Sequence, residues 1–120
     1  MMTSSITLTM DGLNREHIVR ITQYDRLRVR VKTYPDGRRP TFALQLECYF
    51  DEIGRWRQVI RADDFDNAPH YDIHHPDGTT HKEWCYDYGD NKMNMKAAEK
   101  FLRQNWQQQR KRYQNEIYDN

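Results

Sequence analysis

The chain is poor in most of what would place it among secreted, membrane-bound or disulfide-built proteins. It has two cysteines in 120 residues, Cys48 and Cys85. They are too few and too far apart for a disulfide framework or a zinc knuckle. Two reduced, partly buried thiols in a cytoplasmic protein are expected. No apolar run is long enough to span a bilayer, so no membrane association is expected. The opening MMTSSITLTM lacks a basic stretch and a long apolar run, so no secretory signal is expected. Repeats are absent, and the only low-complexity tract is Gln107–Gln109. The apolar fraction is 37%, below the ~45–50% usual for globular domains. The net charge of +1 gives no global argument for nucleic acid and leaves only local patches to consider.

What is present offsets the thin core. Three Trp, eight Tyr and four Phe bury much area per residue and argue against disorder. The length fits one domain over residues 1–120. Many polar positions around a thin core favour a protein partner or a homodimer. Charge is uneven: residues 61–90 carry eight acids against two bases, and residues 91–120 carry seven bases against three acids.

The pattern predicts an α+β fold. An antiparallel β-meander of about 4–6 strands spans residues 18–87 and packs against one long C-terminal helix over about 94–118. Residues 26–34 alternate strictly, with Leu27, Val29, Val31 and Thr33 on one face and Arg26, Arg28, Arg30 and Lys32 on the other. Tyr34–Pro40 supplies turn chemistry. Phe42, Leu44, Leu46, Cys48 and Phe50 then alternate inward. A turn at Asp51–Gly54 leads to Trp56, Val59 and Ile60, and Pro76-Asp77-Gly78 separates two shorter extended runs. Ile18–Ile21 or Ile6–Met10 adds a first strand, and residues 1–14 are expected to be flexible. From Asn94 on there is no Gly or Pro, and Ala98, Leu102, Trp106 and Tyr113 share a helical face. Asn91 or Asn94 is the expected N-cap. Gln107–Gln114 is polar nearly all round, so the helix end is expected to project into solvent or onto a partner.

The distinctive stretch runs from Arg61 to Lys82 and holds four of the five histidines. On a strand, His70, Asp72 and His74 point one way. Three readings compete for it. Asp66, His70, Asp72 and His74 offer donors that Zn²⁺ or Mn²⁺ accepts, at a spacing that matches no strong motif. Alternatively, His70 and His74 act as acid and base near neutral pH, cleaving RNA through its 2′-hydroxyl without a cofactor. In the third, structural reading, Asp and Asn make turns and His and Asp satisfy each other on a sheet edge. Arg26, Arg28, Arg30 and Lys32 either track a phosphate backbone or form the solvated face of an edge strand, and the edge-strand reading is favoured. Arg110-Lys111-Arg112 binds a phosphate or acidic partner, or complements the helix dipole. Trp84, Tyr86 and Tyr88 either stack bases or, as is commoner, belong to the core and sheet surface.

One resemblance is visible. Trp56-Arg57-Gln58-Val59-Ile60, then Phe65-Asp66-Asn67-Ala68-Pro69-His70, then His74-His75, a short strand and a terminal helix resemble the TumE-type toxin family and related small bacterial proteins. The resemblance covers about residues 41–110, and Pro69 stands where a Gly is common. It implies a growth-inhibiting toxin paired with a helix-turn-helix antitoxin, with RNA as target. Asp66, Asn67, His70 and His74 match its motif. Chemistry then suggests that Asp66 orients a histidine, Asn67 holds the turn, and Arg61 and Lys82 stabilise an anionic transition state. The alternative is a non-catalytic protein-interaction module, antitoxin-like, phage-encoded or an adaptor, that uses the sheet edge and the basic helix end.

Overall fold

The computed structural model describes residues 2–9, 12–37, 41–64 and 68–119, with side chains from residue 13 onward. Seven strands follow one another in chain order: β1 (Met2–Thr9), β2 (Gly12–Thr22), β3 (Asp25–Thr33), β4 (Thr41–Phe50), β5 (Arg55–Asp63), β6 (His70–His74) and β7 (Thr80–Trp84). One helix, α1 (Asn91–Tyr118), closes the chain. Every strand pairs antiparallel with its sequence neighbour, so the sheet order is β1 to β7. This is the expected α+β meander, extended because Ile18–Ile21 lies in β2 and the described part of Ile6–Met10 lies in β1. No described helix is long and apolar enough to cross a membrane.

The alternation seen in the sequence sorts the two faces. Leu27, Val29, Phe42, Leu44, Leu46, Cys48, Phe50, Ile60, Ala62 and Ile73 are buried. They meet Ala98, Leu102 and Tyr113 of α1 in one core. Two ring pairs anchor the helix: Phe50 stacks on Tyr113 with centroids 4.9 Å apart, and Tyr71 meets Phe101 at 4.8 Å. At a register shift beside Leu46 and Glu47, the residue Val59 is added to β5. The bulge lets both Val59 and Ile60 lie buried. Tight turns use Gly54 and Gly78, at φ of 64° and 90°, a region that side chains with a Cβ rarely enter.

Several expectations about α1 are corrected. Its N-cap is Asp90, whose carboxylate accepts from the Lys92 amide at 2.9 Å. Asn91 and Asn94 lie inside the helix and are buried. Asn94 accepts from the Tyr88 amide at 2.9 Å, and Asn91 donates to the buried Asp64. These bonds begin the helix at residue 91 rather than 94. Nor does the C-terminal part project: Tyr113 is buried and Ile117 packs on the core. Arg110 and Arg112 do not serve the helix dipole, since the last turn carries no base. They bond to the sheet instead. Arg110 donates to Asp25 at 2.6 Å and to the Tyr49 carbonyl at 2.8 Å. Arg112 donates to the Val59 and His74 carbonyls, each at 3.0 Å.

Candidate functional site

The face turned away from α1 is polar, and strand register decides what meets on it. Arg28, Gln45, Arg61, Asp72 and Lys82 are successive cross-strand partners from β3 to β7. The neighbouring row reads Glu16, Arg30, Ala43, Asp63, His70 and Trp84 from β2 to β7. Lys32 lies on the same side of β3 as Arg28 and Arg30. The described candidates Arg28, Arg30, Lys32, Arg61, His70, Asp72, His74 and Lys82 therefore share one face. Asp66 and Asn67 lie outside the described residues.

The edge-strand reading of Arg26, Arg28, Arg30 and Lys32 is overturned, because β3 is interior, between β2 and β4. Its arginines pair with carboxylates. Arg28 reaches Glu16 at 2.5 Å and Glu47 at 2.9 Å, and Arg26 reaches Glu47 at 2.7 Å. Burial pushes the Glu47 pKa up, but hydrogen bonds from Arg28, Arg26 and Gln45 outweigh it and leave the carboxyl below its ordinary range. Small Ala43 leaves a shallow polar depression of about 360 Å³ beside Arg28, Arg30, Gln45, Gln58 and Arg61.

The histidine segment divides into three environments. His70 is only 2% exposed. Its Nε2 lies 2.9 Å from Asp63 Oδ1 and 3.5 Å from Asp72 Oδ2, and its Nδ1 is 3.1 Å from the Ala68 carbonyl. Trp84 packs edge-on against the ring at 5.6 Å. His74 is half-buried, and its Nε2 is buried without a hydrogen-bond partner. Burial, Arg61, Arg112 and His75 lower its pKa against the pull of Asp72. His70 and His74 end the same strand, four residues apart, so their backbones are about 13 Å apart at ~3.3 Å per residue. The two imidazoles have separate surroundings, His70 against Asp63 and Asp72, and His74 with its Nε2 buried without a hydrogen-bond partner.

The third environment went unforeseen. His75 Nδ1 is 2.6 Å from Glu116, and His75 Nε2 is 2.9 Å from His81 Nδ1. The long-range contact with α1 had no signal in the sequence. Asp63 was missed as well, although it had one: it and His70 flank a hairpin connection, which places them opposite each other. Burial raises the Cys48 pKa, and it pushes Cys85 up to about 11 despite a hydrogen bond with Tyr71.

The aromatics after β6 are not core. Trp84, Tyr86 and Tyr88 are 63%, 74% and 48% exposed. Tyr86 and Tyr88 touch edge-to-face at 4.7 Å, and the Lys82 ammonium sits 5.1 Å from the Trp84 ring. β7 is the last strand of the sheet, and all five of its residues are exposed.

Fold and surface together define a small α+β module with one helix-covered face, one polar face and one aromatic edge. The chain belongs to the family of the domain of unknown function DUF7718, which it matches over residues 10–118. No curated protein and no solved structure matches it.

Proposed function

We propose that the protein is a non-catalytic interaction module that takes a protein partner along the β7 edge. The observation behind this reading is the run of exposed large side chains Trp84, Tyr86, Tyr88 and Met93 from the end of β7 to the start of α1, with Tyr86 and Tyr88 in contact. These are four of the six exposed large hydrophobic residues among the described ones. Single exposed apolar residues are ordinary, but clustered ones mark interaction sites, and Trp, Tyr and Met are the types enriched there. Among the described residues no further strand pairs with β7, so its outer edge can accept one. Glu83, Asp87 and Asp90 interleave with the rings, which suits a partner strand with basic and apolar side chains better than a nucleic acid. The basic helix end has no part in this, because Arg110 and Arg112 are bonded to the sheet. Two unpaired thiols are in keeping with a cytoplasmic setting.

The test is purification of the tagged full chain from its native host. A stoichiometric partner is expected, and Trp84→Ser with Tyr86→Ser should weaken its binding about 30-fold or more, the scale of a lost hot spot. Undiminished partner binding by the folded double variant would refute the edge reading.

The competing reading is a toxin-like protein acting on RNA through His70 and His74. Its support is the shared face of Arg28, Arg30, Lys32, Arg61 and Lys82. The carboxylates of Glu16, Glu47, Asp63 and Asp72 on that face weigh against it, as do the separate surroundings of the two histidines. RNA cleavage or growth inhibition that disappears in His70→Ala with His74→Ala would establish it over the interaction module.

A further inference from the structure

We propose that Asp63, His70 and Asp72 form a binding site for a divalent first-row cation of the Mn²⁺, Fe²⁺ or Zn²⁺ type, a role separate from the β7 edge. One ligand atom from each lies within 4.8 Å of the others. Asp63 and His70 are buried, and only Asp72 is partly open, at 29% side-chain exposure.

The argument rests on what His70 faces. Its Nδ1 meets the Ala68 carbonyl, which only accepts, so Nδ1 carries a hydrogen. Its Nε2 meets two carboxylates, Asp63 at 2.9 Å and Asp72 at 3.5 Å. With Nδ1 as the donor, Nε2 offers its lone pair toward both whenever the ring carries no second proton. Three electron-rich atoms then converge where a positive species belongs. A proton on Nε2 is directed at one carboxylate only. A metal ion uses all three at once. The bond from Nδ1–H to a backbone carbonyl is the usual outer support of a metal-bound imidazole, fixing both tautomer and ring orientation.

The donor set narrows the ion. One imidazole nitrogen and two carboxylate oxygens suit Mn²⁺, Fe²⁺ and Zn²⁺, and nothing in the set favours a soft metal. Ligands at ~2.1 Å from one ion can be no more than about 4.2 Å apart, so a small rotation of Asp72 completes the set. Arg61 Nε lies 2.9 Å from the other oxygen of Asp63, Oδ2, a charge contact without hydrogen-bond geometry, while Oδ1 faces His70. Trp84 walls one side of the imidazole. Three protein ligands leave coordination positions for water or an anionic ligand.

The experiment uses untagged full-length protein, stripped with chelator and titrated with Co²⁺, Zn²⁺ and Mn²⁺, reading Co²⁺ absorption and calorimetric heat. One equivalent should bind. Asp72→Asn, a substitution of the most exposed ligand, should weaken binding at least about tenfold while leaving the circular dichroism spectrum unchanged. His81→Gln, which breaks the other imidazole pair, should bind as the native chain does. The site is refuted if the native chain takes up none of the three ions stoichiometrically. It is also refuted if Asp72→Asn binds as tightly as the native chain, or if binding is lost in His81→Gln. A further refutation is a nitrogen-15 spectrum at neutral pH showing His70 doubly protonated in protein that takes up no metal.

Discussion

His74 shows how one residue's surroundings set a pH response. Burial is the largest influence on it, and Arg61, Arg112 and His75 act in the same direction, so its folded pKa lies below 6.5. A group of this kind stabilises the fold fully above the unfolded pKa. As pH falls below 6.5, the unfolded chain takes up a proton that the folded chain resists, and stability is lost until the folded pKa is passed. The midpoint of thermal unfolding should therefore drop between about pH 7 and 5.5, and His74→Gln should flatten part of that drop. Unfolding followed at several pH values checks this; an equally steep variant would show that His74 is not the group responsible. The carboxylates Glu16 and Glu47 act lower on the scale. Their pKa values are depressed, with hydrogen bonds from arginines opposing the desolvation, so their contribution is present above the ordinary carboxylate range and fades in acid.

Between elements, the joint that matters most is the one made by Arg112. The β5–β6 ladder stops at Ile60 and Ile73, and the next carbonyls on each strand, Val59 and His74, both accept from this guanidinium at 3.0 Å. Glu116 holds the same side chain at 2.6 Å. Removing the donor leaves the carbonyls short of partners at a bulge that cannot supply them. Arg112→Met should cost about 2–3 kcal/mol in urea unfolding, the range for hydrogen bonds from a charged donor. Arg103→Met, which breaks only an exposed i,i+4 pair with Glu99, should cost under about 0.5 kcal/mol. Equal costs would mean that the docking bonds carry no stability. This joint also marks the limit of what the sequence made legible. Alternation at Leu27–Val31 and Phe42–Phe50 revealed strands and their buried side, because period-two burial is a local property. The run Gln107–Gln114 misled, because an arginine that bonds to a distant carbonyl is indistinguishable in sequence from one in solvent. The same held for Trp84 and Tyr86: composition favours burial of large rings, and only the end of the sheet leaves them outside. At the candidate site, His70, Asp72 and His74 were placed on one face by alternation alone. Their separation along the strand was equally countable, while the burial of His70 required the third dimension.

For the whole molecule, topology and cover predict where stability resides. Each strand touches only its neighbours in sequence, so no long crossover ties the two ends of the sheet together. The helix rests on β4 and β5, and the most completely buried side chains, among them Leu44, Leu46, Phe50, Val59, Ile60, Leu102 and Tyr113, gather beneath it. β7 lies at the other extreme, exposed along its whole length. Opening of the centre must expose that core at once, whereas release of β7 from β6 exposes little apolar area and gives up few hydrogen bonds. Native-state amide exchange should therefore be slowest in β4, β5 and the facing residues of α1, close to the global unfolding free energy. It should become faster through β6 and be fastest in β7. Partner binding at the edge would slow β7 exchange selectively, and metal binding would slow β6 and the end of β5 while leaving the outer edge of β7 unchanged. Uniform protection from β4 to β7 in the free protein would contradict the gradient and show that the sheet opens only as one unit.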